Sequence, residues 1–178
     1  MTPLARSRPA AVGSLDVVTF RLGGEILAIR AQVLREVLEP VVITRVPQAP
    51  EFVQGLINVR GAVVPLADLR VTFAMPRRPL GKEGRLLVLD LPLGGRLSVV
   101  GILADGVHEV TRIGCDTLED VPPVGTRWPP QFVEAIGKWG GSFVMLPDLP
   151  AIFSAFLAGS ADIPLPGHGP HATHSQGG

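Results

Sequence analysis

The feature that most constrains this chain is an internal repeat. Residues 50–69, PEFVQGLINVRGAVVPLADL, align without a gap on residues 130–149, PQFVEAIGKWGGSFVMLPDL. Pro50, Phe52, Val53, Gly61, Val64, Leu66, Asp68 and Leu69 each recur 80 positions on, and Phe73 and Phe153 extend the match. Upstream, Gly23-Gly24 recurs as Gly94-Gly95, and Glu36-Val37 as Glu109-Val110, at slightly different offsets. Self-similarity of this kind speaks to architecture before function: one supersecondary plan is used twice. It predicts that Phe52 and Phe132 occupy equivalent environments, and likewise Leu66 and Leu146.

The plan itself is written in period-two alternation. In DVVTFRL, Val18, Phe20 and Leu22 alternate with Thr19 and Arg21, the pattern of a half-buried strand. Gly23-Gly24 tolerates the positive φ angles of a hairpin turn, and EILAI returns. RLLVLDL, Gly94-Gly95 and RLSVVGILA repeat that hairpin, and Asp105-Gly106 then leads into VHEVTRI. Each half thus reads as strand, glycine turn, strand, a strand ending in Glu-Val, a proline-rich link, a hairpin and a helical turn. Five short strands are enough to close a small barrel and remove its free edges. The expectation is an all-β protein of two five-stranded barrels, with barrel halves about 16–73 and 86–153. A single sandwich of all the strands is the alternative. Asp68 and Asp148 fit as helix N-caps. In LPAIFSAFLAG, Ile152, Phe153, Phe156 and Leu157 line one face of a C-terminal helix. Pro150 suits its first turn and Gly159 its end. Residues 1–15 read as a flexible lead, 16–158 as the folded domain, and 159–178, rich in Gly, Pro, Ser and His, as a disordered tail.

Composition excludes several function classes. The chain has 16 basic and 16 acidic residues, so no net charge favours nucleic acid or an anionic surface. Its single cysteine, Cys115, forms no internal disulfide, which fits a reducing compartment. No apolar run approaches the roughly 20 residues of a spanning helix, and the N-terminus lacks a signal-peptide core. The expected location is cytoplasmic, with no direct membrane insertion. No phosphate-binding glycine loop, paired-carboxylate arrangement or nucleophile–base pair emerges by spacing. His108 stands alone outside the tail. His168, His171 and His174 recur at steps of three, but without an ordered scaffold they would hold a metal only weakly, and a compositional accident is the preferred reading. The expectation is therefore no catalysis, no cofactor and no metal.

The segment ITRVPQAPEFVQGLINVRGAVVPLADLR resembles the signature of the CheW family. The correspondence runs through Glu36-Val37, Val46-Pro47, Pro50 to Gly55, Asn58 to Gly61, Val64-Pro65 and Asp68 to Arg70. GILADGVHEV, residues 101–110, resembles the family's second-half motif. The likeness covers about residues 16–157. It implies two SH3-like barrels with a groove between them. It also implies a bacterial chemotaxis adaptor that couples a histidine kinase to methyl-accepting chemoreceptors in signalling arrays. The implied partners are the related regulatory domain of a chemotaxis histidine kinase and the cytoplasmic tip of a chemoreceptor, so the adaptor is recruited to membrane receptor arrays. The alternatives are a small-ligand-binding sensor using the groove and an adaptor of a non-motility chemosensory pathway. Pro147, Pro150 and the tail depart from the family pattern.

The candidate partner-binding residues follow from the resemblance and from alternation together. Leu56, Asn58 and Arg60 fall on one strand face, Ile57 and Val59 on the other, and Gly61 allows a tight turn. Arg60 in Asn-Val-Arg-Gly and Glu36 in Glu-Val stand where the family carries a charged pair. Gly140 replaces Arg60 in the second half, so the barrel plan does not require the arginine. Glu36, Arg60, Asn58, Gly55 and Gly61 are the expected recognition residues. Val33, Leu34, Val37 and Ile57 are expected to line or support the receptor groove.

Overall fold

The computed structural model describes residues 12–122 and 127–157. The expected N-terminal lead falls mostly outside them. The tail, its histidines and Gly159 fall wholly outside them. Ten strands account for nearly all of the regular structure. In the first half these are β1 (Ser14–Leu22), β2 (Glu25–Arg30), β3 (Leu34–Leu38), β4 (Val53–Val59) and β5 (Ala62–Ala67), followed by helix α1 (Leu69–Thr72). The second half gives β6 (Arg85–Leu93), β7 (Arg96–Ala104), β8 (Gly106–Gly114), β9 (Val133–Trp139) and β10 (Ser142–Pro147), followed by helix α2 (Leu149–Leu157). Both glycine pairs turn as expected, with φ of 57° and 86° at Gly23 and Gly24 and 56° and 76° at Gly94 and Gly95.

The strands form two five-stranded sheets, ordered β8-β1-β2-β10-β9 and β3-β6-β7-β5-β4. The two orders are identical once each strand is replaced by its repeat counterpart. That establishes the duplication and corrects one expectation: neither 16–73 nor 86–153 makes a barrel by itself. Each half gives its first hairpin to one sheet and its last three strands to the other. The physical reason lies in the connections. After β2 a single 3-10 turn, Ala31–Val33, carries the chain across, and β3 pairs antiparallel with β6 rather than with its own hairpin. Reciprocally, β8 pairs with β1. The other edge of each hairpin is completed in parallel, β10 against β2 at Met145 and Leu27, and β5 against β7 at Leu66 and Gly101.

Each sheet closes by one further bridge. Thr44 exchanges both backbone hydrogen bonds with Leu56, at 2.9 and 2.8 Å. Glu119 does the same with Ile136, at 2.8 Å each way. Leu56 and Ile136 are repeat equivalents, so the two barrels close at the same place in the plan.

Three apolar cores result. Ile57, Val59, Val64, Leu66, Leu86, Val88 and Leu103 fill one barrel, and Val17, Ala28, Ile113, Val144 and Leu146 fill the other. The largest core lies between the barrels and draws on both sheets, with Phe20, Leu27, Leu89, Ile102, Phe52 and Phe153 among its members. This changes the reading of β1. Val18, Phe20 and Leu22 face the inter-barrel core while Val17 faces its own barrel's interior, the side on which Thr19 also lies, so Thr19 is buried too, and its hydroxyl donates to the Glu109 carbonyl at 3.3 Å. A barrel strand covered on both sides reads as a continuous apolar run, as RLLVLDL does.

Leu66 and Leu146 are equivalent, each inside its own barrel. Phe52 and Phe132 match in backbone only. Their carbonyls accept from Asp68 N at 2.8 Å and Asp148 N at 2.9 Å, but Phe52 is 1% exposed and Phe132 is half-buried. The difference comes from the helices. Asp68 and Asp148 both cap, accepting from Arg70 N and Ala151 N. However, α1 stops after one turn, while α2 continues and lays Phe153 edge-on at 5.2 Å and Phe156 stacked at 4.7 Å against Phe52. Truncating Phe52 to Ala should therefore cost about 3–5 kcal/mol and Phe132 to Ala only about 1–2 kcal/mol, read from urea unfolding midpoints. Equal costs would contradict this asymmetry. Residues 12–80 and 81–157, expressed apart, should each be unfolded by circular dichroism, because each leaves both edges of its hairpin unpaired. A cooperative melt of either half alone would refute the exchange.

Candidate functional site

The ends of the second sheet are β3 and β4, so the barrel's seam runs between them. Glu36 on β3 and Arg60 at the end of β4 meet across that seam. Arg60 Nε and Nη2 donate to the two Glu36 carboxylate oxygens at 3.3 and 3.2 Å, a two-pronged contact. The arginine side chain is 82% exposed and the glutamate 18%. Arg60 also occupies a left-handed backbone position, φ 51°, with Gly61 at 84°. Its counterparts Gly140 and Gly141 adopt 56° and 78° without a side chain to strain. Placing a non-glycine residue there costs about 1–2 kcal/mol. Asn58 supports the turn by accepting from Gly61 N at 2.9 Å.

The other barrel carries the same staple in different chemistry. Glu109, the counterpart of Glu36, accepts from Trp139 Nε1 at 3.1 Å. Trp139 sits one residue before Gly140, packs against its barrel's core and lies 5.4 Å from His108, ring to ring. A seam carboxylate with a side-chain donor is thus common to both halves. The exposed guanidinium is peculiar to the first.

The nine candidate residues do not form one surface. Glu36, Asn58, Arg60 and Gly61 come together, with exposed Val63 on the adjoining strand. Val37 is exposed but borders a different depression, beside Arg85 and His108. Val33 lines a cavity of about 250 Å³ between the barrels, together with Arg30, Leu91, Glu134 and Pro150. Arg30 and Glu134 are ion-paired there. Leu34 packs partly buried against the central core. Ile57, 2% exposed, fills a barrel as its inward strand face requires, so it supports a surface without touching a partner. Gly55 is interior as well. Its φ is 148°, and a Cβ there would stand 2.3 Å from the Thr44 carbonyl oxygen. It is glycine so that the seam can close over it.

One group escaped the sequence reading. Arg70 is 5% exposed and Asp68 1%, and they form a two-pronged pair at 2.8 and 2.9 Å. Arg70 Nη1 also donates to the Arg78 carbonyl at 2.7 Å. The Asp68 hydrogen bond raises the Arg70 pKa above its usual value and outweighs the opposing effect of burial. Only the tripeptide Asp-Leu-Arg hinted at this pair, and it reads equally well as a helix cap.

With this geometry, comparison with known proteins is informative. A family model described as CheW-like domain matches residues 16–156. Chemotaxis protein CheW of Klebsiella aerogenes is 29% identical over 140 residues, spanning 79% of this chain and 82% of its own. Protein PilI of Pseudomonas aeruginosa is 32% identical over 132 residues, 71% of each chain. The crystal structure of scaffolding protein TtCheW from Thermoanaerobacter tengcongensis superposes with a TM-score of 0.70 at 32% identity, covering 79% of this chain and 93% of that one.

The seam makes a direct prediction. Gly55→Ala should cost about 3 kcal/mol, since it adds both backbone strain and a collision with the closing bridge. Gly61→Ala, which meets open space, should cost about 1–2 kcal/mol. Denaturant midpoints that rank the two the other way would show that the Thr44–Leu56 bridge is not what Gly55 protects.

Proposed function

We propose a function from one premise: the chain belongs to the CheW-like family. It acts as a cytoplasmic adaptor, joining a chemotaxis histidine kinase to the cytoplasmic tips of chemoreceptors, and works by binding rather than by turnover. The observation that carries this reading is Arg60. An exposed arginine is held in a left-handed turn where the repeat's own counterpart is glycine, and it is anchored to a carboxylate across a barrel seam. An exposed ion pair contributes at most about 1 kcal/mol to a fold, no more than the backbone strain it must offset. Stability alone gives little reason for the arginine, whereas recognition gives a sufficient one.

The inter-barrel cavity that Val33 lines is the groove in which the receptor tip would sit, with an apolar floor and a charged rim from Arg30 and Glu134. At about 250 Å³ it is smaller than the roughly 300–1,000 Å³ of ordinary small-molecule sites, which disfavours the sensor alternative there. Among the described residues no helix is long and apolar enough to cross a membrane, so attachment to an array would be through partners. The similarity to Protein PilI keeps an adaptor serving a pathway other than flagellar chemotaxis as the second reading.

Arg60→Gly separates fold from function. Relief of the left-handed strain and loss of the exposed pair should nearly cancel, leaving the melting temperature within a few degrees of wild type. The same variant should fail to bring a reconstituted kinase under receptor control. Arg60→Lys should recover only part of that control, because an ammonium lacks the planar fork. Full receptor control by Arg60→Gly would refute the recognition role. The exchange Glu36→Arg with Arg60→Glu should also remain uncoupled; recovery by it would reduce the pair to an internal strut.

A further inference from the structure

The two repeats are joined by residues 74–84, AMPRRPLGKEG, and this linker has no counterpart in the second half. It carries Arg77, Arg78 and Lys82 against the single acid Glu83, in a chain with no net charge overall. It is also fixed in place. Met75 N donates to the Arg70 carbonyl at 2.8 Å, and the buried Arg70 side chain donates to the Arg78 carbonyl at 2.7 Å. The linker therefore leans over the barrel and forms one wall of an open trough of about 790 Å³.

The trough's lining is mixed in a specific way. Ile43, Val46 and Leu80 supply apolar surface, and Arg45, Arg77 and Arg78 supply cations. Arg77 is committed to Glu51 at 3.5 Å, as buried Arg70 is to Asp68. The exposed side chains of Arg45 and Arg78 have no hydrogen-bond or ion-pair partner among the described residues. They come from two separate segments, before β4 and after α1. The trough thus has two free positive charges and an apolar lining, and every carboxylate that borders it is already engaged.

We infer that this trough docks an acidic segment of a protein partner, with two carboxylates on Arg45 and Arg78 and an apolar side chain on Ile43 and Val46. The apolar lining favours a peptide over a free inorganic anion, which would leave it uncovered. The open shape favours an extended segment over an enclosed metabolite. The contact goes beyond the adaptor reading and does not depend on it, because none of these residues takes part in the Glu36–Arg60 pair or the inter-barrel groove. A second, sequence-tolerant foothold of this kind would raise partner affinity through effective concentration.

The test uses the full chain and a fluorescein-labelled peptide of alternating Glu and Leu, followed by fluorescence polarisation. Saturable binding is expected, weakened about tenfold by the double variant Arg45→Glu with Arg78→Glu, corresponding to two exposed charge contacts. Arg96→Glu, at an exposed arginine on the β6–β7 hairpin with no ion-pair partner among the described residues, should bind as wild type, and so should Arg60→Gly. A Lys-Leu peptide should not bind. The inference is overturned if the Glu-Leu peptide fails to saturate at about millimolar concentration. It is also overturned if Arg96→Glu weakens binding as much as the double variant. Displacement of the peptide by millimolar pyrophosphate at constant ionic strength, or preferential binding to vesicles rich in phosphatidylserine, would overturn it in favour of a small anion or a membrane surface.

Discussion

Everything in this molecule depends on one exchange of strands. The hairpin β1–β2 is flanked by β8 and β10 from the other half, and β6–β7 is flanked by β3 and β5. Both backbone edges of each repeat's hairpin are therefore satisfied by the other repeat. An unpaired edge is both an aggregation template and a loss of hydrogen bonding, so the halves stabilise each other or not at all. The exchange also explains the size of the central core. Strands already closed into barrels turn their second face to the neighbouring barrel, and Phe20, Leu27, Leu89 and Ile102 pack there.

Duplication leaves two seams, and the seams are where the halves differ most in chemistry. Each is locked by one backbone bridge and stapled by a Glu on the first strand of the seam. In one barrel the donor is Trp139, drawn partly into the core. In the other it is Arg60, pushed into solvent on a strained turn. A symmetric plan thus presents an asymmetric surface. The inter-repeat linker adds a second asymmetry. It is pinned by the buried Asp68–Arg70 pair, and the counterpart of Arg70 in the second half is Pro150, which cannot do the same. Removing either member of that buried pair would leave an uncompensated charge, so the linker's path is tied to the integrity of α1.

Much of this was legible in the chain. The 80-residue offset determined that two equivalent five-stranded units exist, because side chains that fill equivalent barrels must be alike. Alternation determined that Ile57 and Val59 share one face and Leu56, Asn58 and Arg60 the other, since a strand has only two faces. Asp68 and Asp148 announced their helices, and the substitution of Gly140 for Arg60 marked the arginine as dispensable to the fold. What alternation cannot specify is which strand lies alongside. The same apolar face serves a neighbour from either half, so only the tertiary structure decided that the barrels are built by exchange. It also decided that Phe52 is buried and Phe132 is not, because that depends on how far α2 runs past α1. It decided that Gly55 exists for the approach of Thr44, a contact made across the closed seam and invisible to local pattern. And it decided which arginines are spent in ion pairs and which are left free, because pairing is set by distances between segments far apart in the chain.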